Sequence, residues 1–284
     1  MTARTVTAEP ATARPSRAES TGAMTTAAAH VPVRSLTART RTARALHAEW
    51  TKFATLRSQW TTPLIALALS VGGTAAVQAA YGTEDHSLID DPSVGIFYGL
   101  NFGQVALACF GILLFGQEYA SGTIRGSLAA VPDRARLYAA KLALGAGVGL
   151  LVGVLTTAGS FLASAHTENL GLGSPEALRA MVAGVLYHPL LIVICLGATA
   201  VLRNLTAAMG LITPTVFLGT PLLSAVPGVR ELVQFLPDRA GQHALRYQPE
   251  AGFHFGHWTG LLVMALWAAL ATWAGLRSLR RHDA

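Results

Sequence analysis

The sequence predicts an all-α integral membrane protein with six transmembrane helices, and three observations support this prediction. Hydrophobic residues make up 52% of the 284 residues, and charged residues make up only 13%, about half of what a soluble domain carries. The mean hydropathy is +0.44 although the N-terminal tail is polar. Six apolar stretches are each long enough to cross the roughly 30 Å hydrocarbon core of a bilayer.

The first 38 residues contain mainly Ala, Thr, Pro, Ser and Arg and show no apolar periodicity. We predict that residues 1–38 are a disordered tail, because such a segment buries too little apolar surface to offset the entropy lost on ordering. The tail has no continuous apolar core of a signal peptide. Met24 is an alternative to Met1 as the start of translation.

Before the first span, hydrophobic residues recur at intervals of three and four: Leu46, Trp50, Phe53, Leu56 and Trp60. This spacing predicts an amphipathic helix over residues 39–60. The tryptophans suit the headgroup boundary of a membrane, and Lys52 and Arg57 can meet anionic lipid. Taken alone, the helix is interpreted as a juxtamembrane anchor.

Six segments reach the length of about 20 apolar residues that a transmembrane helix needs. They are residues 61–81, 96–116, 137–165, 178–202, 205–226 and 257–276. The third segment exceeds the length of a perpendicular span, so it tilts or begins outside the hydrocarbon. Residues 61–276 then form one six-helix domain, followed by a basic tail over residues 277–284.

The distribution of Lys and Arg predicts that both termini lie in the cytoplasm, because positively charged loops stay on that side. This orientation places 17 of the 21 basic residues inside. The four that remain outside are Arg179, Arg230, Arg239 and Arg246. The first outer loop holds four acidic residues and no basic residue: Glu84, Asp85, Asp90 and Asp91.

A polar segment, residues 117–136, separates the second and third spans. We expect a short helix that begins near Glu118, where a carboxylate complements the helix dipole, and that ends at Pro132. Arg134, Arg136 and Lys141 would follow as a cationic rim. An exposed helix of this size can press on a soluble partner, whereas the simpler interpretation is an ordinary positive loop.

Two sets of residues in this sequence resemble type-2 ABC transporter permeases. The first set lies in the segment after the second span: Glu118, Gly122, Thr123, Arg125, Leu128, Pro132 and Arg134, with Lys141 in the next span. The second set is Ala48-Glu49-Trp50-Thr51-Lys52-Phe53 followed by Leu56-Arg57-Ser58, which is similar to the start of actinobacterial members. The resemblance extends from about Ala45 to Arg281, and Tyr119-Ala120 departs from the charged residues often found after the glutamate.

This resemblance implies a permease subunit of an ABC exporter, located in the bacterial plasma membrane. Glu118 would hold the end of the second span to the coupling helix, and residues 122–128 would sit in a groove of the ATPase. Two ATP-binding subunits, a second permease chain that is identical or similar, and membrane lipid are the implied partners. ATP and Mg²⁺ would be bound by the ATPase, because this chain has no Gly-x-x-x-x-Gly-Lys-[Ser/Thr] motif.

Three polar residues within the spans are candidates for a translocation path: Asn101, Gln104 and His188. Ionisable groups inside a membrane often have a function, but small polar residues also hold helices together. For His188, which precedes Pro189, a neutral hydrogen-bonded ring is the alternative. Cys109 and Cys195 lie in apolar segments and predict buried thiols, with no disulfide and no metal site.

Two other classes of function are alternatives for a six-span chain. A membrane-embedded serine protease would need a Gly-x-Ser-x site together with a histidine, but Thr157-Ala158-Gly159-Ser160 has the wrong order. A non-catalytic scaffold or sensor is the third class. We therefore expect no enzymatic activity, no cofactor in this chain and no nucleic-acid partner, and co-purification of an ATPase would separate the permease from both alternatives.

Overall fold

The structure, a computed structural model, describes residues 38–81, 91–166, 171–226, 228–250 and 252–281, and all regular elements in these ranges are helical. The helices that are long and apolar enough to span a membrane are α2 (Arg57–Tyr81), α4 (Leu100–Ala120), α6 (Arg134–Ala163), α7 (Pro175–Leu202), α8 (Leu205–Pro214) continued by a π-helical segment (Thr215–Gly219) and α9 (Thr220–Ser224), and α12 (His257–Arg281). The shorter helices are α1 (Ala38–Thr55), α3 (Pro92–Ile96), α5 (Ile124–Ala130), α10 (Arg230–Val233) and α11 (Pro237–Leu245).

The predicted all-α fold with six candidate spans is confirmed. The disordered tail predicted for residues 1–38 lies outside the described residues, apart from Ala38.

Helix α7 forms the centre of the bundle and packs against α4, α6, α11 and α12. Its inner face and the faces turned toward it supply one continuous apolar core. Large side chains in this core are almost completely inaccessible: Phe110, Phe115, Tyr138, Tyr187, Leu191 and Ile192. The apolar interior therefore fixes the relative positions of four of the six spans.

Helices α2 and α4 approach each other closely at two glycines one turn apart, Gly99 and Gly103. A Cβ atom at Gly99 would lie 1.8 Å from the backbone oxygen of Ser70, and one at Gly103 would lie 1.8 Å from Ser70 Oγ. Only a residue without a side chain fits such a contact, which is a common way for membrane helices to pack.

The fifth span is the least buried of the six. In α8, the π-helical segment and α9, Ala208 is the one buried residue within the described part of the chain. Pro214 stands at the start of the π-helical segment, where its missing N–H group removes a regular helical hydrogen bond. The surface of this span is thus left to lipid or to another chain.

Two predicted segments do not coincide with the ends of helices in the structure. The helix expected over residues 39–60 is interrupted at Leu56, so that Arg57 and Trp60 belong to the first span. At the interruption, the Leu56 N–H donates to the Lys52 backbone oxygen at 3.0 Å, and the Gln59 N–H donates to the Leu56 backbone oxygen at 3.0 Å in a tighter three-residue turn. The basic tail expected over residues 277–284 is helical as far as Arg281, because α12 continues beyond its apolar stretch.

Candidate functional site

The short helix α5 is separated from α4 by a sharp turn. Helix α4 continues through Ala120, and Gly122 then adopts a φ of +69°, a conformation that favours glycine. Helix α5 begins at Ile124, and Asp133 Oδ1 accepts hydrogen bonds from the backbone of the next helix, α6. The prediction that this helix begins near Glu118 was therefore wrong. Glu118 lies in the last turn of α4, because the helix does not end where the apolar stretch ends.

Four charged side chains from α1, α4 and α6 form a closed ring, which we call the charge ring: Glu49, Lys52, Glu118 and Lys141. Lys141 Nζ lies 2.7 Å from Glu49 Oε2 and 2.8 Å from Glu118 Oε1. Lys52 Nζ lies 2.8 Å from Glu49 Oε1 and 2.6 Å from Glu118 Oε1. Each positive group thus bridges both carboxylates, and the ring carries no net charge.

Three members of the charge ring are removed from solvent. The exposed fraction is 1% for Lys141, 3% for Glu49 and 7% for Glu118. Taking charges out of water costs several kcal/mol per ion, and each of these three groups lies within 2.8 Å of a group of opposite charge. Lys141 Nζ also donates to the Leu114 backbone oxygen at 3.3 Å. The ring consequently ties α1, α4 and α6 together at one end of the bundle.

The same ring is connected to α5 through Ser127. Lys52 Nζ donates to Ser127 Oγ at 3.1 Å, and Ser127 Oγ donates to Glu118 Oε1 at 3.3 Å. Partial burial would lower the pKa of Lys52, but its hydrogen bonds with Glu118 and Glu49 and their charges outweigh burial and raise it. Lys52 therefore remains protonated at neutral pH and holds α5 against the ends of α1 and α4.

One face of α5 packs inward and the other is exposed. Ile124 is buried and Leu128 packs partly against the core, whereas Arg125 and Ala129 face outward. A groove of about 730 Å³ lies beside this helix, with Lys52, Glu118 and Ser127 among its lining residues. The arrangement presents a short helix and an adjacent groove beyond the end of the bundle.

The remaining residues predicted for this site lie around the same end. Arg134 Nη1 donates to the Leu279 backbone oxygen at 2.8 Å, which connects the start of α6 to the last turn of α12. Thr123 is exposed, and its hydroxyl lies 2.8 Å from Ser121 Oγ. Pro132 lies in the linker between α5 and α6.

The aromatic residues of α1 connect this helix to the bundle. The ring centroids of Trp50 and Phe53 are 5.5 Å apart, and Phe53 meets Phe110 of α4 at 6.0 Å. Arg57 is exposed at the start of α2. Helix α1 is thus fixed both by aromatic packing and by the charge ring.

The structure brings together two of the three predicted pathway residues. The Gln104 side chain accepts a hydrogen bond from the Tyr187 hydroxyl at 2.6 Å, and Gln242 Nε2 lies 3.4 Å from both Asn101 Oδ1 and Gln104 Oε1. His188 is not part of this group. Its Nδ1 lies 2.7 Å from the Gly184 backbone oxygen, and its Nε2 is buried without a partner.

The sequence did not identify Glu49 or Ser127 as coupling residues, and it placed Lys141 in a cationic rim, whereas the structure buries Lys141 in the charge ring. A signal was present for Lys141, because a lysine inside an apolar span requires a partner. Glu49 and Lys52 are three residues apart in a predicted helix, which places them on one face. Nothing in the sequence pattern indicates that both would close a ring with Glu118.

Among the residues that the structure describes, no group of three or more His, Cys, Asp or Glu side chains could hold a metal ion. Cys195 is buried and Cys109 partly buried, and both are free thiols. Comparison of the chain with models of known protein families and with characterised proteins gave no match.

Proposed function

We propose that the chain is the membrane-spanning permease subunit of an ABC transporter, acting as an exporter in the bacterial plasma membrane. The observation that carries this proposal is the position of α5 beyond the ends of the spans, held to α1, α4 and α6 through Ser127 and the charge ring. A force applied to α5 would be passed to three helices at once.

In this proposal both termini face the cytoplasm, because 17 of the 21 basic residues then lie on that side. The charge ring, α5 and the end of α12 meet at one end of the bundle, which becomes the cytoplasmic end. Two ATPase subunits dock there, one on each of two paired permease chains. ATP and Mg²⁺ bind to the ATPases, and their closure switches the spans between inward-open and outward-open states.

The exposed face of α5 offers a test that leaves the charge ring intact. Arg125→Glu reverses a charge on that face, and Arg281→Glu makes the same change at an exposed position on α12 at the same end. Each variant is expressed in the native membrane and purified under conditions that retain bound proteins. We expect the wild type and Arg281→Glu to co-purify with an ATPase and to show ATP hydrolysis, and Arg125→Glu to lose both while its amount in the membrane is unchanged.

The chain purified alone should hydrolyse no ATP, since it has no phosphate-binding loop. Hydrolysis by the isolated chain, free of contaminating ATPases, would contradict the proposal and favour an enzyme. If Arg125→Glu and the wild type recover equal amounts of ATPase, the exposed face of α5 is not part of the coupling interface. A chain that purifies with no ATPase at all would favour a scaffold or a sensor.

A further inference from the structure

A second polar cavity lies at the opposite end of the bundle from the charge ring. Its volume is about 280 Å³, and its lining residues include Phe97, Tyr98, Asn101, Arg239, Gln242 and Arg246. Asn101 and Glu118 stand 17 residues apart in α4, which corresponds to about 26 Å along a helix. The cavity is therefore distinct from the groove beside α5.

The wall of the cavity has an apolar side and a polar side. Val94 belongs to α3, and Phe97 and the exposed ring of Tyr98 belong to the segment between α3 and α4. Opposite them, α11 supplies Gln242, which hydrogen-bonds toward Asn101. A flat or chain-like apolar group and a polar group can thus be bound at the same time, as in most small-molecule sites.

The charge of the wall is positive. Among the lining residues that the structure describes, two are arginines and none is acidic. One carboxylate outside the wall, Glu250, contacts both: it pairs with Arg239 and lies 3.9 Å from Arg246 Nε. Its Oε2 makes no hydrogen bond, so the contact with Arg246 is loose.

Asp238, a further acid near Arg239, is not among the lining residues of the cavity and accepts a hydrogen bond from Thr220 at 2.6 Å. Each guanidinium carries five N–H donors in a planar fork. The two guanidinium groups together have ten N–H donors, and the shared Glu250 carboxylate can accept hydrogen bonds from only a few of them. An anion in the cavity can accept from several of the remaining N–H groups in a bidentate contact.

We propose that this cavity binds an anionic amphiphile. Its phosphate or carboxylate contacts Arg239 and Arg246, its polar linkage meets Asn101 and Gln242, and its apolar part lies on Phe97 and Tyr98. The anionic group comes either from a membrane phospholipid or from a free single-chain molecule, since both present the same chemistry to the arginines.

The test uses hexyl phosphate as the probe and 1-hexanol as its neutral counterpart, titrated against the purified chain in a non-ionic detergent. We expect hexyl phosphate to bind and hexanol to bind at least about tenfold more weakly, a difference typical of one charge-assisted contact. Arg246→Gln removes one guanidinium, and Asn101→Leu narrows the cavity without changing its charge. Both should weaken hexyl phosphate binding about tenfold or more, whereas Arg281→Gln, at an exposed position near the end of α12, should bind as the wild type does.

The same titration in nanodiscs identifies the source of the anion. If phosphatidylglycerol suppresses hexyl phosphate binding and phosphatidylcholine does not, the occupant is a lipid headgroup. Equal binding in both lipids indicates a free amphiphile. The proposal is overturned if hexanol binds as tightly as hexyl phosphate, or if Arg246→Gln and Asn101→Leu both bind like the wild type. The measurement needs no ATPase, so its failure is separate from failure of the permease proposal.

Discussion

Lys141 is a cation in the interior of a helix bundle, and its surroundings explain how it is tolerated. Glu49 and Glu118 approach it from two different helices, and the Leu114 backbone oxygen accepts a further hydrogen bond. Replacing a complete buried ion network by apolar groups is often neutral, but removing a single partner leaves uncompensated charge. The charge ring therefore acts as a unit.

Replacing Lys141 with Met should destabilise the protein, because Glu49 and Glu118 would then share Lys52 as their sole cation within the ring. We expect a loss of about 3–5 kcal/mol in the free energy of unfolding, measured by denaturant titration in detergent micelles. Arg136→Met is the matched control, since Arg136 lies in the same helix and pairs with Asp133 near the surface, and it should cost less than about 1 kcal/mol. If Lys141→Met and Arg136→Met unfold at the same denaturant concentration, the charge ring does not stabilise the fold in this way.

His243 is a residue at the opposite end of the bundle whose titration bears on stability. Its ring stacks on Phe253 at 3.8 Å and on His257 at 4.7 Å, and its Nδ1 is buried without a partner. Burial, reinforced by the neighbouring His257, lowers the pKa of His243 to about 4. The folded state therefore favours the neutral ring.

Because the pKa of His243 is lower in the folded state than the ordinary value of about 6.5, its neutral ring favours folding above pH 6.5. This contribution is lost as the pH falls from 6.5 toward 4. The melting temperature of the wild type should fall over that range, and His243→Gln should show a shallower fall. His47→Gln, at an exposed position on α1, should keep the wild-type slope. If the melting temperature falls equally steeply with pH in all three proteins, His243 has no such role.

At the scale of single elements, the contact between α2 and α4 has little tolerance for added volume. A Cβ atom at Gly103 would lie 1.8 Å from Ser70 Oγ and 2.8 Å from the Ala66 backbone oxygen. The hydroxyl can rotate away, but the backbone oxygen cannot. The two helices would have to separate.

Gly103→Ala should therefore destabilise the protein by about 1–3 kcal/mol, the usual cost of overpacking. Gly147→Ala is the matched comparison in α6, because nothing lies within 4 Å of its added methyl group, and it should be neutral or slightly stabilising. Both are measured by thermal unfolding in the same detergent. A Gly103→Ala variant as stable as the wild type would show that the helix contact is looser than described.

The short helix α5 shows where element prediction from sequence works and where it fails. The existence of α5 follows from a polar stretch between two apolar stretches. Its end follows from Pro132, because a proline disfavours the helical conformation for the residue before it. Its start does not follow, because α4 continues four residues past its apolar stretch and Gly122 sets the turn. The proposed role of Glu118 consequently rests on its contacts in the charge ring rather than on a helix dipole.

At the scale of the whole molecule, the number and approximate positions of the spans could be predicted because a bilayer imposes a length and a composition on each helix. The charge ring could not be predicted, since its members lie up to 92 residues apart in the chain and a hydropathy pattern carries no information on such contacts. The grouping of Asn101 and Gln104 with Gln242 depends in the same way on the packing of α11 against α7 and α12.

The orientation of the molecule is tested by cysteine labelling in intact cells, in a background without Cys109 and Cys195. Leu172 is exposed in the segment before α7, and Ala129 is exposed on α5. With both termini in the cytoplasm, Leu172→Cys should react with a membrane-impermeant reagent, and Ala129→Cys should react only after the membrane is opened. The reverse pattern would place α5 outside and remove the basis for ATPase docking.

The members of the charge ring are synthesised in the order of their positions in the chain. The ribosome delivers Glu49 and Lys52 first, then Glu118, and Lys141 last, within a helix that must enter the membrane. Both carboxylates that contact Lys141 are therefore already part of the chain when this lysine is added, and one of them lies on α1, which is not among the candidate spans. The N-terminal helix thus supplies one of the two carboxylates that the lysine of the third span contacts.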